Sequence, residues 1–164
     1  MNNLTIETVK TDDLTLDPNN ARKHNARNIE VIANSLKSFG QRKPIVVTRD
    51  NIVVAGNGTL EAARSLGWEF ISVARVPDEW SHEQVIAYAL TDNRSAELAE
   101  WDANVLADQL LDISTLFDTQ EFGFNPLSQE NNNEVPEEFQ DFSGDVNTAY
   151  QCPKCGYEWN GAPR

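Results

Sequence analysis

Three short stretches of this sequence carry residue types and spacings suited to chemistry. The first is Gly56-Asn57-Gly58-Thr59, which follows the small apolar run Ile52 to Ala55 and precedes Leu60, Ala63 and Leu66 at helical spacing. Glycines at a strand-to-helix turn permit a tight bend and a close approach of backbone to ligand. The helix that follows, with Thr59 as its expected cap and Gly67 as its stop, turns free N–H groups and the positive end of its dipole towards that turn. Such a place binds anions, most often phosphate. An ordinary β-turn-α connection, with glycines for packing alone, is the competing reading. The turn is not a Walker A, since no lysine follows the second glycine, and it lacks the third glycine of a dinucleotide fingerprint.

The second stretch is Ala21-Arg22-Lys23-His24, which sets two cations and an imidazole side by side after the turn-forming Asp17-Pro18-Asn19-Asn20. It reads either as a solvated loop or as a loop facing a ligand. The third is Cys152-Pro-Lys-Cys155-Gly156. A Cys-x-x-Cys spacing lets two thiolates bind one metal, as in one knuckle of a zinc ribbon. A structural zinc site takes four ligands, and this chain offers two cysteines. A second copy of the chain or a partner would complete a zinc site at Cys152 and Cys155. A degenerate knuckle without metal, or a redox disulfide, is the alternative.

The elements that must position these residues follow from hydrophobic spacing. Ile29, Ile32, Ala33 and Leu36 mark an amphipathic helix, extended by Phe39, capped by Asn28 and stopped by Gly40. Ile45 to Thr48 and Ile52 to Ala55 read as a hairpin around Arg49-Asp50-Asn51, and Phe70 to Arg75 as a further strand. Leu4 to Ile6 and Leu14 to Leu16 suit short strands. Ser81 and Gln84 have capping-box spacing for a helix through Leu90 that ends in the polar Thr91 to Ser95. Asp102 can cap another helix, and Phe117, Phe122 and Phe124 can fold back as an apolar clasp. The expected fold class is α/β (α+β), a small mixed sheet with packed helices.

Composition bounds the rest. The 164 residues carry 13 basic and 26 acidic side chains, a net charge of −13. Residues 1–95 hold 11 basic and 12 acidic groups, so the acidic excess belongs to the remainder. The early cations could serve a modest nucleic-acid site, and the acidic tail would oppose or compete with it. No apolar run approaches the ~20 residues that span a bilayer, and no signal peptide is evident. A soluble, cytoplasmic protein without a membrane partner is the expectation. The organisation expected is a domain over 1–126, an acidic, disordered linker over 127–149 and a half zinc-ribbon knuckle over 150–164.

The order of these blocks resembles the ParB/sulfiredoxin superfamily. The resemblance rests on Pro18-Asn19-Asn20-Ala21-Arg22, on Ile32 to Val47 with Gly40-Gln41 and Pro44-Ile45-Val46-Val47, on Val54 to Thr59 with Ala62-Ala63 and Leu66-Gly67, and on Leu90 to Arg94. It covers about residues 3–100. The segment 89–102 is most similar to ParB-like domains of phages and mobile elements, described as nuclease-like and often linked to DNA methyltransferases. The resemblance implies binding of CTP or ATP with Mg2+. Gly56, Asn57, Gly58 and Thr59 would face phosphates, Gly40 and Gln41 would line the nucleotide, and Asp92 and Asn93 would approach the metal or triphosphate. Arg22 and Arg94 would add positive charge. Partition proteins have Glu-Arg-Arg where this chain has Asn57-Gly58-Thr59, so two guanidiniums are missing. Sulfiredoxin's catalytic cysteine is missing too, and so is the partition helix-turn-helix that reads DNA sequence.

Three functions follow as expectations. One is a nucleotide-binding domain in phage or mobile-element DNA modification, partition or defence. Another is a metal-dependent nuclease or phosphotransferase of the same fold, with Asp92 or Glu61 as candidate base. The third is an adaptor that docks a DNA methyltransferase through the knuckle tail, with DNA and a homodimer partner among its expected contacts.

Overall fold

A computed structural model describes residues 4–125 and 150–159. The chain divides into two units, Met1–Ser128 and Gln129–Arg164. The acidic linker expected over 127–149 lies outside the described residues.

The first unit is built on a four-stranded mixed sheet in the order β1-β4-β2-β3. These strands are β1 (Ile6–Lys10), β2 (Ile45–Val47), β3 (Val53–Ala55) and β4 (Phe70–Arg75). β2 runs parallel to β4, while the β1–β4 and β2–β3 pairs are antiparallel. The expected hairpin is present, with Asn51 at φ 63° in its turn. The first strand lies later than the Leu4–Ile6 run suggests. Leu14 to Leu16 forms no strand; Thr15 makes a single parallel bridge to Ile52.

Helix α1 (Ala26–Phe39) and helix α2 (Asn57–Ser65) pack against each other. Their apolar faces meet the sheet in one core, in which Leu60, Val47, Val53 and Val73 are fully buried together with Ile71. Burial of such side chains is worth roughly 1.5–3 kcal/mol each, so this core fixes how β3 delivers the chain to α2. The cap of α1 is Asn25, whose side chain accepts the Asn28 N–H, and not Asn28 itself. Asn28 sits one turn further on, where its amide oxygen is engaged by His24. Gly40 closes α1 at φ 66°, with its N–H on the Leu36 carbonyl.

Helix α3 (His82–Glu97) starts with the expected capping box of Ser81 and Gln84 and lies against β3. It runs through the polar Thr91–Ser95, in which it is expected to end, and stops at Glu97. Asn93 donates its side-chain N–H to the Ala89 carbonyl, and the Ser95 hydroxyl donates to the Asp92 carbonyl. The polar side chains thus bond back to their own helix. No residue of α3 is buried, so the helix has no need of a continuous apolar face. Asp102 caps α4 (Ala103–Ile113). The clasp forms: the Phe117 and Phe122 rings each lie 5.5 Å from Phe39. Phe124 meets Trp101 edge-on at 6.0 Å. No helix among the described residues is long and apolar enough to cross a membrane.

Candidate functional site

The glycine turn is built by exclusion of side chains. Gly56 stands at φ 101° as the N-cap of α2, and a Cβ there would lie 2.5 Å from the Ile45 Cγ2. Both the left-handed backbone and the β2 side chain therefore demand glycine. The helix begins at Asn57, two residues before the expected cap Thr59, which lies half-buried in the first turn. The first-turn N–H groups have no partner within the helix. Gly58 is buried, and a Cβ on it would meet the His24 ring at 2.8 Å. The imidazole thus rests on the backbone of the first turn.

The loop before α1 is fastened to this turn at a second point. The Asn57 side chain, itself buried, accepts the Asp17 N–H at 2.9 Å. Asn57 therefore holds the loop with its side chain. His24 Nδ1 lies 2.6 Å from the Asn28 Oδ1, an acceptor oxygen, so Nδ1 is the donor of this pair. Arg22, two residues earlier, donates to the Asn93 Oδ1 at 3.1 Å and pairs with Glu97 at 3.7 Å. Arg94 pairs with the same Glu97 at 3.1 Å. Arg22, Leu90, Asn93, Arg94 and Glu97 line a hollow of ≈ 380 Å³. One loop thus spans from the first turn of α2 to the last turns of α3.

Residues 1–94 match the ParB N-terminal domain family. The chain belongs to that family. The match ends inside α3, so α4, the clasp and the cysteine hairpin lie beyond it. The fold is similar to that of the C-terminally truncated chromosome-partitioning protein ParB from Caulobacter crescentus complexed with CTP-γ-S. The TM-score is 0.57 at 17% identity, over 71% of this chain and 68% of that one. The same Caulobacter protein complexed to the centromeric parS site aligns at TM-score 0.45 and 19% identity, over 73% and 65%. A pNOB8-like ParB-N domain aligns at 0.47 and 20%, over 56% of this chain and 37% of its own length. A comparison with curated proteins gives no match.

Within this ParB N-terminal domain, the residues singled out in the sequence fall into four groups. Arg22, Asn93 and Arg94 come together around the hollow, and Gly56 to Thr59 form the turn to which the Arg22 loop is tied. Gln41 is engaged elsewhere: its amide donates to the Ser72 carbonyl at 2.8 Å and accepts the Ser72 N–H at 2.7 Å. It closes the open end of the β2–β4 ladder as a further strand residue would, and Gly40 shapes the bend that brings it there. Asp92 and Glu61 are exposed and do not line the hollow. Asp92 stands one helical turn from Tyr88; burial, and then the charge of Asp92, push the Tyr88 hydroxyl above the usual phenol range.

Sequence reasoning missed the contact of His24 with Gly58, the tether from Asn57 to Asp17, and Glu97. The position of His24 four residues before Asn28 was the available signal, since that spacing allows a side-chain pair near a helix start.

The described residues of the second unit form a short antiparallel hairpin of β5 (Tyr150–Gln151) and β6 (Glu158–Trp159). Between the strands, the Cys152 N–H donates to the Tyr157 carbonyl at 2.8 Å, and Gly156, at φ 75°, donates to the Cys152 carbonyl at 2.9 Å. Both thiols are free. Backbone N–H groups of Lys154 and Cys155 hold the Cys152 thiol below its usual range, aided by the Cys155 thiol. Among the described residues, no group of three or more His, Cys, Asp or Glu could hold a metal.

Proposed function

We propose that this ParB N-terminal domain is a nucleotide-binding module that takes a triphosphate between the first turn of α2 and the last turns of α3. The observation that carries the reading is the double attachment of the 17–24 loop. Asp17 and His24 fix it to the glycine turn, while Arg22 reaches Asn93 on α3. Phosphates at the turn would meet backbone N–H groups and the helix dipole. Arg22 and Arg94 would supply the cations that partition proteins carry in the turn itself.

A side chain at position 58 and the His24 ring exclude each other. That agrees with glycine standing here in place of arginine. The Caulobacter relative held CTP-γ-S, which favours a nucleoside triphosphate over inorganic phosphate. Mg2+ would enter with the phosphates, because it keeps much of its own water and asks for one or two protein oxygens. The Asn93 amide oxygen, bonded to Arg22, is the candidate on α3, while Asp92 does not line the hollow. The reading assigns no catalytic base to Asp92 or Glu61. The wider role we assign is in DNA transactions such as partition, modification or defence, in keeping with the family.

The test is thermal unfolding of the full chain with Mg2+ and CTP, ATP, GTP or buffer. A ligand at a hundredfold excess over its dissociation constant adds ~2.7 kcal/mol. A shift with one nucleotide that disappears in Arg22→Ala supports the reading. No shift with any nucleotide overturns it.

A further inference from the structure

Glu97 brings a negative charge into the hollow that holds Arg22 and Arg94. It is the last residue of α3, at the negative end of the helix dipole. A carboxylate is disfavoured at that end, where cations are the stabilising residues. Two guanidiniums hold it there. Its Oε2 accepts from the Arg94 Nη1 at 3.1 Å, and its Oε1 lies 3.7 Å from the Arg22 Nη1. One carboxylate thus bridges two cations delivered by separate segments, the loop before α1 and the body of α3.

The Arg94 contact alone would be an ordinary pair one helical turn apart. The Arg22 contact is long-range, and it is not needed to fasten the loop, because Arg22 already bonds to Asn93. Glu97 therefore sits where a bridging anion would sit, on the two cations that face the hollow. The hold is a light one. The Arg22 and Glu97 side chains are 45% and 46% exposed, and Arg94 is more so. Exposed pairs of this kind are weak and are made and broken at little cost. A ligand with several anionic oxygens can take both arginines from a single carboxylate. Until it does, the fraction of molecules that keep the Glu97 contacts lowers the apparent affinity by the same fraction.

We propose, on the nucleotide reading of this hollow, that Glu97 is the internal counter-anion of the site. Its carboxylate occupies Arg22 and Arg94 in the unliganded domain, and the phosphates of a bound nucleotide displace it.

The experiment is calorimetric titration of the full chain with Mg2+ and CTP, ATP or GTP, as wild type, Glu97→Gln and Glu97→Ala. Both variants should bind the nucleotide that wild type binds about two- to fivefold more tightly, the worth of an exposed ion pair. Their unfolding in urea should come no earlier than that of wild type, since neutralising this carboxylate suits the helix end. The gain should shrink in an Arg94→Ala background, where Glu97 has lost its nearer partner. Wild-type binding that is unchanged or weakened in both variants overturns the proposal and leaves the nucleotide site standing. A gain undiminished in Arg94→Ala also overturns it, because Glu97 would then act as a distant repelling charge and not through the arginines. No binding of any nucleotide by wild type or by either variant overturns the nucleotide reading and this proposal with it.

Discussion

The Arg22 guanidinium donates to the Asn93 amide oxygen at 3.1 Å, and this bond ties the loop before α1 to α3. The two residues are 71 positions apart. Both are on the surface side of the fold, so the bond serves to position the loop far more than to hold the core. Arg22→Ala should therefore change the stability of the unliganded protein by less than ~1 kcal/mol. It should also remove the thermal shift given by nucleotide. Arg94→Ala, which breaks only the exposed pair with Glu97, should weaken the shift with a similarly small basal effect. Urea unfolding and calorimetric titration check both arms.

The two glycines of the turn should behave differently on substitution. Gly56→Ala combines a left-handed backbone with a clash into Ile45. We expect a loss of roughly 2–4 kcal/mol in urea unfolding, from strain and overpacking together. Gly58→Ala has no backbone penalty and gains helix propensity, but its Cβ pushes against the His24 ring. A double-mutant cycle with His24→Ala should show a coupling of about 0.5–1 kcal/mol. Strict additivity would mean that the ring does not rest on the turn in solution.

Tyr88 gives a pH dependence. Its folded pKa is raised, first by burial and then by Asp92, above the unfolded value near 10. The folded state therefore holds the phenol proton more tightly than the unfolded state. The contribution is fully present below the unfolded pKa and is lost as pH rises through the folded one. Stability should fall over that alkaline window, and Tyr88→Phe should remove this part of the slope. In an ultraviolet titration, Asp92→Asn should move the Tyr88 midpoint down but not all the way. No movement would place Asp92 away from Tyr88.

The clasp should be a local unit. Phe117 touches Phe39 and Phe122, while Asn34 donates to the Glu121 carbonyl and Arg27 to that of Gln120. Phe39 is 46% exposed, so the site is not full core. Phe117→Ala should cost about 1–3 kcal/mol, below the range for fully buried aromatics. Hydrogen exchange should quicken over residues 114–124 while β4 amides keep their protection. A uniform loss of protection would show that the clasp is part of the global unfolding unit.

The sequence by itself determined the elements whose signals are local. Alternation and β-branching marked β2, β3 and β4, the Ile29–Leu36 stripe marked α1, and Ser81 with Gln84 marked the start of α3. These follow from backbone geometry over a few residues, where side-chain spacing and capping bonds act directly. The glycine turn was legible for the same reason, because only glycine tolerates the φ of position 56. Tertiary structure alone decided which polar groups face each other. It gave the Gln41 amide to Ser72, the Asn57 side chain to Asp17 and the Gly58 surface to His24. It also separated Asn93, which meets Arg22, from its neighbour Asp92, which stands near Tyr88: consecutive helix residues are about 100° apart around the axis. Whether a polar side chain meets a ligand or a backbone depends on chain segments tens of residues away. Their approach is set by burial of the common core, and no local spacing encodes it.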